Sequence, residues 1–296
     1  MKERYARRKW SQVLLLAGMV LGLLVMTKTA YAASSVSPKY IDASWVKTGS
    51  GYAKRDVTNW TLYVKNSRGV QRKISSSAGT TVAIGDIVYY YECNSGGRIN
   101  SYNLKTGVKR KICAPAKLHN FLGYYKGYVY YSVGEYYRET LKTYKQNVKT
   151  GKRIRIYSLN GAGDARQYKN YMAVMNVRGD PGPTTLRIYN LSTGKVVKTI
   201  SCCTAVKIIK GMIYYSVYSR SGNTYIQKIY RCSLNGSNAK KLATIKGSNL
   251  MVGLERTCVY YVITSGRIMK YYYSSKKAVA SSSSAYTKSR IRNVLY

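Results

Sequence analysis

Acidic residues, histidine and phenylalanine are scarce in this sequence. Its 296 residues include 50 Lys and Arg but only 10 Asp and Glu, with one histidine and one phenylalanine. Hydrolytic catalysis needs a nucleophile with a base, or a pair of carboxylates. His119 stands alone, and the few carboxylates are scattered singly along the chain. We therefore expect no catalytic residues and interpret the protein as a non-enzyme.

Metal-binding patterns are missing as well. No acidic cluster suits Ca²⁺, and no C-x-x-C or Cys/His spacing suits Zn²⁺. The sequence contains neither a G-x-x-x-x-G-K-[ST] phosphate loop nor a G-x-S-x-G nucleophile turn. We expect no metal site and no cofactor.

Long apolar runs are absent after residue 32. Val13–Met26 is uncharged and mostly apolar, follows a basic segment, and precedes the A-x-A cleavage site Ala30-Tyr31-Ala32. These features predict a secretory signal peptide over residues 1–32, and the stretch is short for a membrane span. An uncleaved anchor helix is the alternative. We expect a mature chain with no transmembrane segment, secreted or associated with the cell wall.

The six cysteines leave two interpretations open. An even number in an exported chain allows one or two disulfides. Cys202 and Cys203 are adjacent, whereas Cys232 and Cys258 lie within apolar strand patterns. Free, buried thiols are therefore the second interpretation.

Turns that contain glycine recur at a regular interval, and each precedes a short basic strand. They lie at Gly69, Gly107, Gly151, Gly194 and Gly236, with intervals of 38, 44, 43 and 42 residues. A tyrosine-rich strand such as Ile87–Glu92 recurs in step with them. Four short strands repeated every 38–46 residues are typical of the blades of a β-propeller.

We predict an all-β fold, a six-bladed β-propeller of four-stranded blades, in a single domain over residues 33–296. The predicted blades lie near residues 36–75, 76–115, 116–158, 159–201, 202–244 and 245–284. A strand at 285–296 is expected to close the ring by pairing with the first blade, which would cover exposed sheet edges. A disordered basic tail is the alternative for this segment. We expect a monomer.

Three segments carry the clearest version of the repeat: Gly85–Tyr90, Arg98–Gly107 and Lys228–Gly236. They resemble the repeats of six-bladed propellers of the TolB-like and low-density-lipoprotein-receptor YWTD-like group. The resemblance covers most of residues 40–280 and implies a propeller that serves as a binding scaffold, of an exported bacterial type. The YWTD tetrad is absent, Ala173-Val174 replaces one tyrosine pair, and the first unit is degenerate.

Candidate binding residues lie in the predicted loops after the tyrosine strands, because loops on a rigid scaffold carry recognition. The longest of these loops are Ser132–Thr140, Asn176–Thr184 and Ser216–Thr224. Aromatic rings there can stack on sugars, and arginine can bind phosphate or carboxylate. The candidates are Tyr136, Tyr137, Arg138, Arg178, Tyr218, Arg220 and Tyr225. A solvated basic rim without a single ligand is the alternative.

The formal net charge of +40 favours association with polyanions. The predicted function is a non-enzymatic binding scaffold at the bacterial cell envelope, with an anionic wall polymer, a polysaccharide or a partner protein as its partner. A glycan-processing lyase or hydrolase that uses the propeller cavity is one alternative. An extracellular nucleic-acid binder is the other, since export excludes intracellular nucleic acid.

Overall fold

The computed structural model describes residues 37–41, 43–56, 58–94, 97–135, 141–176, 184–222, 224–263 and 265–281. Contacts divide the chain into two compact units, Met1–Ser37 and Pro38–Tyr296, and every described strand belongs to the second. The predicted signal peptide and the predicted closing strand lie outside the described residues. Among the described residues, no helix is both long and apolar enough to cross a membrane.

The strands form five antiparallel sheets in which chain neighbours pair, with the one exception among the described strands that β1 pairs with β6. The first sheet contains β2 (Val46–Thr48), β3 (Gly51–Asp56), β4 (Thr61–Lys65) and β5 (Gln71–Ser75). The second contains β6 (Ala78–Ile84), β7 (Ile87–Glu92), β8 (Arg98–Asn103) and β9 (Lys109–Cys113), with β1 (Lys39–Tyr40) beside β6. The third contains β10 (Leu118–Tyr125), β11 (Tyr128–Val133), β12 (Lys142–Asn147) and β13 (Arg153–Arg155).

A seven-stranded sheet follows, and then a four-stranded one. The seven strands are β14 (Ala162–Tyr168), β15 (Tyr171–Asn176), β16 (Thr184–Asn190), β17 (Lys195–Ile209), β18 (Met212–Ser221), β19 (Thr224–Ser233) and β20 (Lys240–Lys246). The last sheet contains β21 (Ser248–Leu254), β22 (Cys258–Ile263), β23 (Ile268–Tyr272) and β24 (Ala278–Ala280). The one short helix is a 3₁₀ turn, Tyr157–Leu159, among the residues described.

Strand β17 explains why one sheet has seven strands. Its first half pairs with β16 and its second half pairs with β18, so one strand ends one meander and begins the next. The sequence predicts a boundary near residue 201, but no Gly or Pro interrupts Val196–Ile209. Cys202, with a φ of 57°, lies at the joint.

The hairpin pattern predicted from the turn glycines is confirmed. Strand β7 spans Ile87–Glu92 as predicted, and the five predicted turns join the third and fourth strands of the first five meanders. Gly107, Gly151 and Gly194 have φ angles of 73°, 70° and 70°, which a side chain would strain.

The two ends of each meander have different surroundings. We call β6, β10, β14, residues 203–209 of β17, and β21 the first strands. First strands of consecutive sheets contact one another. We call β5, β9, β13, residues 195–200 of β17, β20 and β24 the last strands.

The cores lie between consecutive sheets. Val82, Phe121 and Tyr131 belong to one apolar cluster between the second and third sheets, and all are nearly or fully buried. Leu122, Leu159 and Met172 belong to the cluster between the third sheet and β14–β17. Stacked antiparallel meanders of four strands are the architecture of propeller blades. The all-β class predicted from the sequence is confirmed.

Candidate anion-binding surface

Basic residues cover five of the six last strands, all except β24. Their exposed lysines and arginines include Arg72, Lys73, Arg110, Lys111, Arg153, Lys195, Lys198, Lys240 and Lys241. Bare strand edges with lysine resist pairing with other chains, and the same charges attract anions. Lys111, Lys198 and Lys241 have no ion pair with any residue that the structure describes. Their charge is therefore available to an outside anion.

The turns beside the last strands are held by asparagine side chains. The Oδ1 atom of Asn103 accepts hydrogen bonds from the backbone N–H groups of Lys105 and Thr106, at 2.8 and 3.0 Å. Asn147 makes the equivalent bonds in the next sheet. Such side-chain turns fix the backbone, so Lys105 and Lys149 project from well-defined positions.

Three predicted binding residues come together on one hairpin. Tyr218 and Tyr225 have ring centroids 5.7 Å apart, and the Cζ atom of Arg220 lies 5.6 Å from the Tyr225 centroid. The Nε of Arg220 also donates to the Gly222 carbonyl at 2.9 Å. Tyr225 is 40% exposed. Tyr136, Tyr137, Arg138 and Arg178 lie outside the described residues.

The prediction of a loop at Ser216–Thr224 is wrong. β18 continues to Ser221 and β19 begins at Thr224, so the segment is the end of a long two-stranded hairpin. Val217, Tyr218 and Tyr225 favour extended backbone, and their cross-strand pairing outweighs the polar composition. The aromatic–arginine group therefore sits on paired strands, which hold it more rigidly than a loop would.

A buried polar group lies further along the same face of the hairpin. Gln227 is fully buried, and its Oε1 accepts a hydrogen bond from Thr204 at 3.1 Å. Thr204 also shares a 2.6 Å hydrogen bond with Ser216. Among the described residues, the Nε2 of Gln227 has no partner. Sequence reasoning missed this residue because a glutamine inside a strand carries no recognisable motif.

Glu92 is surrounded by four hydrogen-bond donors. Its oxygens accept hydrogen bonds from Ser75, Arg98, Asn100 and Lys109, at 2.8–3.3 Å. Burial raises the pKa of Glu92, but Lys109 and these hydrogen bonds outweigh it, so the pKa lies below its ordinary value. A carboxylate held this way anchors strands β7, β8 and β9 together, and it is a structural group.

His119 lies near an acid that the sequence could not place beside it. Burial lowers the pKa of His119, and the nearby charge of Asp164 partly opposes this. Asp164 accepts a hydrogen bond from Arg166 at 2.6 Å and another from the Ala165 N–H at 2.7 Å. The Asp164 carboxylate therefore forms an ion pair with Arg166 of the same strand, β14.

Asp86 is a turn residue directly before strand β7. Its Oδ1 accepts a hydrogen bond from the backbone N–H of Ser50 at 2.5 Å. This bond lowers the pKa of the Asp86 carboxyl. The contact ties the turn before β7 to the β2–β3 turn.

The cysteines form no disulfide bond among the residues that the structure describes. Cys113, Cys203, Cys232 and Cys258 are buried, so the second of the two interpretations holds. Burial raises the pKa of Cys113 and of Cys203 to about 12, which keeps both protonated. Within the described ranges no three His, Cys, Asp or Glu side chains are grouped to hold a metal ion.

No protein-family model matches this sequence, and no curated protein is significantly similar to it. Solved structures with a similar fold include an oligogalacturonate lyase in complex with manganese. It is 12% identical with a TM-score of 0.53, over 82% of this chain and 77% of that one. At this identity the likeness concerns the fold alone.

Two further similar structures have lower TM-scores. TolB from Acinetobacter baumannii is 12% identical, with a TM-score of 0.45 over 84% of this chain and 64% of that chain. The tricorn protease is 12% identical, with a TM-score of 0.42 over 80% of this chain. This chain spans about a quarter of the tricorn protease, at 26%, and less than two thirds of TolB.

Proposed function

We propose that this protein is a secreted binding scaffold for an anionic polymer of the bacterial cell envelope, and that the last strands carry the binding. The proposal includes six blades in one ring, closed by residues 285–296. The YWTD-like assignment stays a prediction.

One observation carries the proposal: the last strands expose cations that have no acidic partner. An ordinary surface mixes both signs, and each lysine has acids within a few residues. Here 50 basic residues face 10 acidic ones, and the acids with clear roles are engaged internally. Glu92, Asp164 and Glu255 pair with residues of their own or neighbouring strands. A chain with this balance is better suited to a polyanion than to a neutral ligand.

The hairpin of Tyr218, Arg220 and Tyr225 adds a second kind of contact. Aromatic rings next to a guanidinium can contact a sugar face and an anionic group together. When one contact holds a polymer on the protein, the effective concentration of the polymer at the other contacts rises, so that many weak contacts together give a higher overall affinity. The hairpin is thus a subsidiary contact, and the last strands supply most of the attraction.

The test is retention of the mature chain on purified wall teichoic acid and on an acidic polysaccharide, with cellulose as the neutral control. We expect retention on the anionic polymers only, and release by salt, because exposed charges are screened. Equal retention on cellulose would refute the proposal. Turnover of the acidic polysaccharide would support the lyase alternative, and much tighter retention on DNA would support the nucleic-acid alternative.

A further inference from the structure

A groove lies between the face of the second sheet and the β12–β13 turn of the third sheet. Its volume is about 240 Å³. Ligand pockets for larger molecules begin at roughly 300 Å³, so this groove has room for a single ring. It is lined by Ile87, Tyr89, Ser101, Asn103, Thr106, Val108, Arg110, Ile112, Val148 and Lys149.

Three kinds of chemistry meet in the groove. Ile87, Ile112 and Val148 provide apolar walls. Ser101, Asn103 and Thr106 provide hydroxyl and amide groups. Arg110 and Lys149 are exposed and have no ion pair among the residues described. A ligand that matches all three needs C–H faces, hydroxyl groups and a negative charge.

The groove is a departure from the repeat. Ser101 lies opposite Tyr89 in the strand pairing. Tyr89 is the third residue of the second strand in its meander. In the later meanders, the residues that pair with the third residue of the second strand are Lys145, Ile188, Arg231 and Lys270. Every one of these side chains is larger than serine.

The larger residues fill the space that Ser101 leaves open. Lys145 extends its Nζ over the Tyr128 ring, 5.2 Å from the centroid. Ile188 is covered by the β19–β20 turn of the next meander, since a Cβ on Gly236 would lie 3.0 Å from Ile188 Cδ1. The turn glycine in the matching place beside the groove is Gly151, and a Cβ there would meet nothing within 4 Å. The small side chain of Ser101 and the open turn together create the groove.

We propose that this groove binds one uronic acid ring of an anionic polysaccharide, an inference that rests on the proposed function. A pyranose ring presents C–H faces and hydroxyl edges, and in a uronic acid the carboxylate is attached directly to the ring. Arg110 can hold that carboxylate through two parallel N–H bonds. Polyol phosphates carry the charge but lack a rigid ring to fill the apolar walls.

The test uses three short probes at one fixed ionic strength: the β-1,4-linked tetramer of D-glucuronic acid, cellotetraose, and a tetramer of glycerol phosphate. Binding is measured by calorimetry or by NMR titration. We expect the glucuronate tetramer to bind with a Kd of about 1 mM. Cellotetraose and glycerol phosphate should bind at least about tenfold more weakly, because each lacks one of the matched features.

Two variants separate the groove from simple charge attraction. Ser101→Lys introduces the residue that the next sheet has at this position, so it fills the groove while adding a positive charge. We expect it to weaken glucuronate tetramer binding about tenfold, whereas simple charge attraction would strengthen binding. Arg110→Gln should cause a similar loss. Lys210→Asn, in the turn between β17 and β18 and away from the residues that line the groove, is the charge-matched control and should leave the affinity within about twofold.

Each outcome decides between the groove and a general electrostatic surface. Loss of binding in Ser101→Lys and Arg110→Gln, with Lys210→Asn unchanged, supports the groove. Equal binding of the glucuronate and glycerol phosphate tetramers, or wild-type affinity in Ser101→Lys, overturns it. Retention on long polymers that persists in either case leaves the proposed function standing, so the two proposals fail separately. Circular dichroism confirms that each variant is folded.

Discussion

The two edges of the second sheet differ in strand pairing and in charge. At its first strand, β6 is covered by β1, which pairs Lys39 and Tyr40 with Ala83 and Val82. At its last strand, β9 exposes three consecutive basic residues, Lys109–Lys111. One edge is apolar and hydrogen-bonded, and the other is bare and cationic.

The covered edge is held by contacts with more than one sheet. The Ile41 N–H donates to the Thr81 carbonyl at 3.0 Å, and the Tyr40 hydroxyl donates to the Leu122 carbonyl at 2.6 Å. Arg166 lies 6.0 Å from the Tyr40 ring centroid. Burial raises the pKa of Tyr40, so the hydroxyl keeps its proton and remains a donor. This edge therefore stabilises the fold, while the opposite edge is free to bind. Substitutions at the two edges should have separable effects on stability and on binding.

The largest expected effect is at Ile41. Its side chain is 2% exposed and packs with Ala53, Leu62 and Tyr90. Ile41→Ala should lower the free energy of unfolding by about 3 kcal/mol, because truncation leaves a cavity. Urea denaturation measures this change. Val108→Ala, a truncation next to the last strand β9 of the same sheet at a 45% exposed position, is the control and should cost about 0.5 kcal/mol. Equal costs would show that the two edges do not differ.

Glu92 is the group that ties a last-strand cation, Lys109, into the fold. Glu92→Gln should cost about 1.5 kcal/mol at neutral pH, since charged hydrogen bonds are lost and the partner cations are partly solvated. The folded pKa of Glu92 lies below its unfolded value of about 4.3. Its stabilisation is therefore present above that pH and is lost as the pH falls through the folded pKa.

Urea midpoints measured from neutral to acidic pH test this linkage. The difference between wild type and Glu92→Gln should shrink below about pH 4.3. Glu135→Gln is the control, because its ion pair with Lys117 is exposed on both sides, and it should leave the midpoint unchanged. A difference between wild type and Glu92→Gln that stays constant at all pH values would rule out the linkage.

Tyr40→Phe isolates one hydrogen bond at the covered edge. Loss of the bond to the Leu122 carbonyl should cost about 1 kcal/mol in urea denaturation. Tyr157→Phe removes a hydroxyl from a ring that is 70% exposed, and it should have no effect. If both changes were neutral, β1 would not hold the edge through this bond.

The smallest expected effect is at the hairpin of β18 and β19. Arg220→Gln should weaken retention on an acidic polysaccharide about twofold, since an exposed cation contributes little by itself. Stability should not change. If Arg220→Gln lowered retention as much as the loss of several last-strand lysines does, the main binding surface would be this hairpin.

Local features of the fold were predictable from the sequence, and contacts between sheets were not. Strand β7 and the turn glycines were predicted because a run of β-branched residues and tyrosines, and a glycine at a turn, are visible in adjacent residues of the sequence. The role of β1 was not, because two residues that pair with a distant strand carry no local pattern. Ser101 was missed for a related reason: its small size matters only once the neighbouring turn is in place. Four of the seven predicted binding residues lie outside the described residues.

The most direct test of the central claim compares two triple variants with equal loss of charge. Lys111→Gln, Lys198→Gln and Lys241→Gln remove three cations from last strands. Lys126→Asn, Lys169→Asn and Lys210→Asn remove three from the turns between first and second strands, where positive φ suits asparagine. The measured quantity is the salt concentration that elutes each protein from an immobilised acidic polysaccharide. We predict a clearly lower eluting concentration for the last-strand variant than for the turn variant. Equal elution of the two variants would contradict the claim that the last strands form the binding surface.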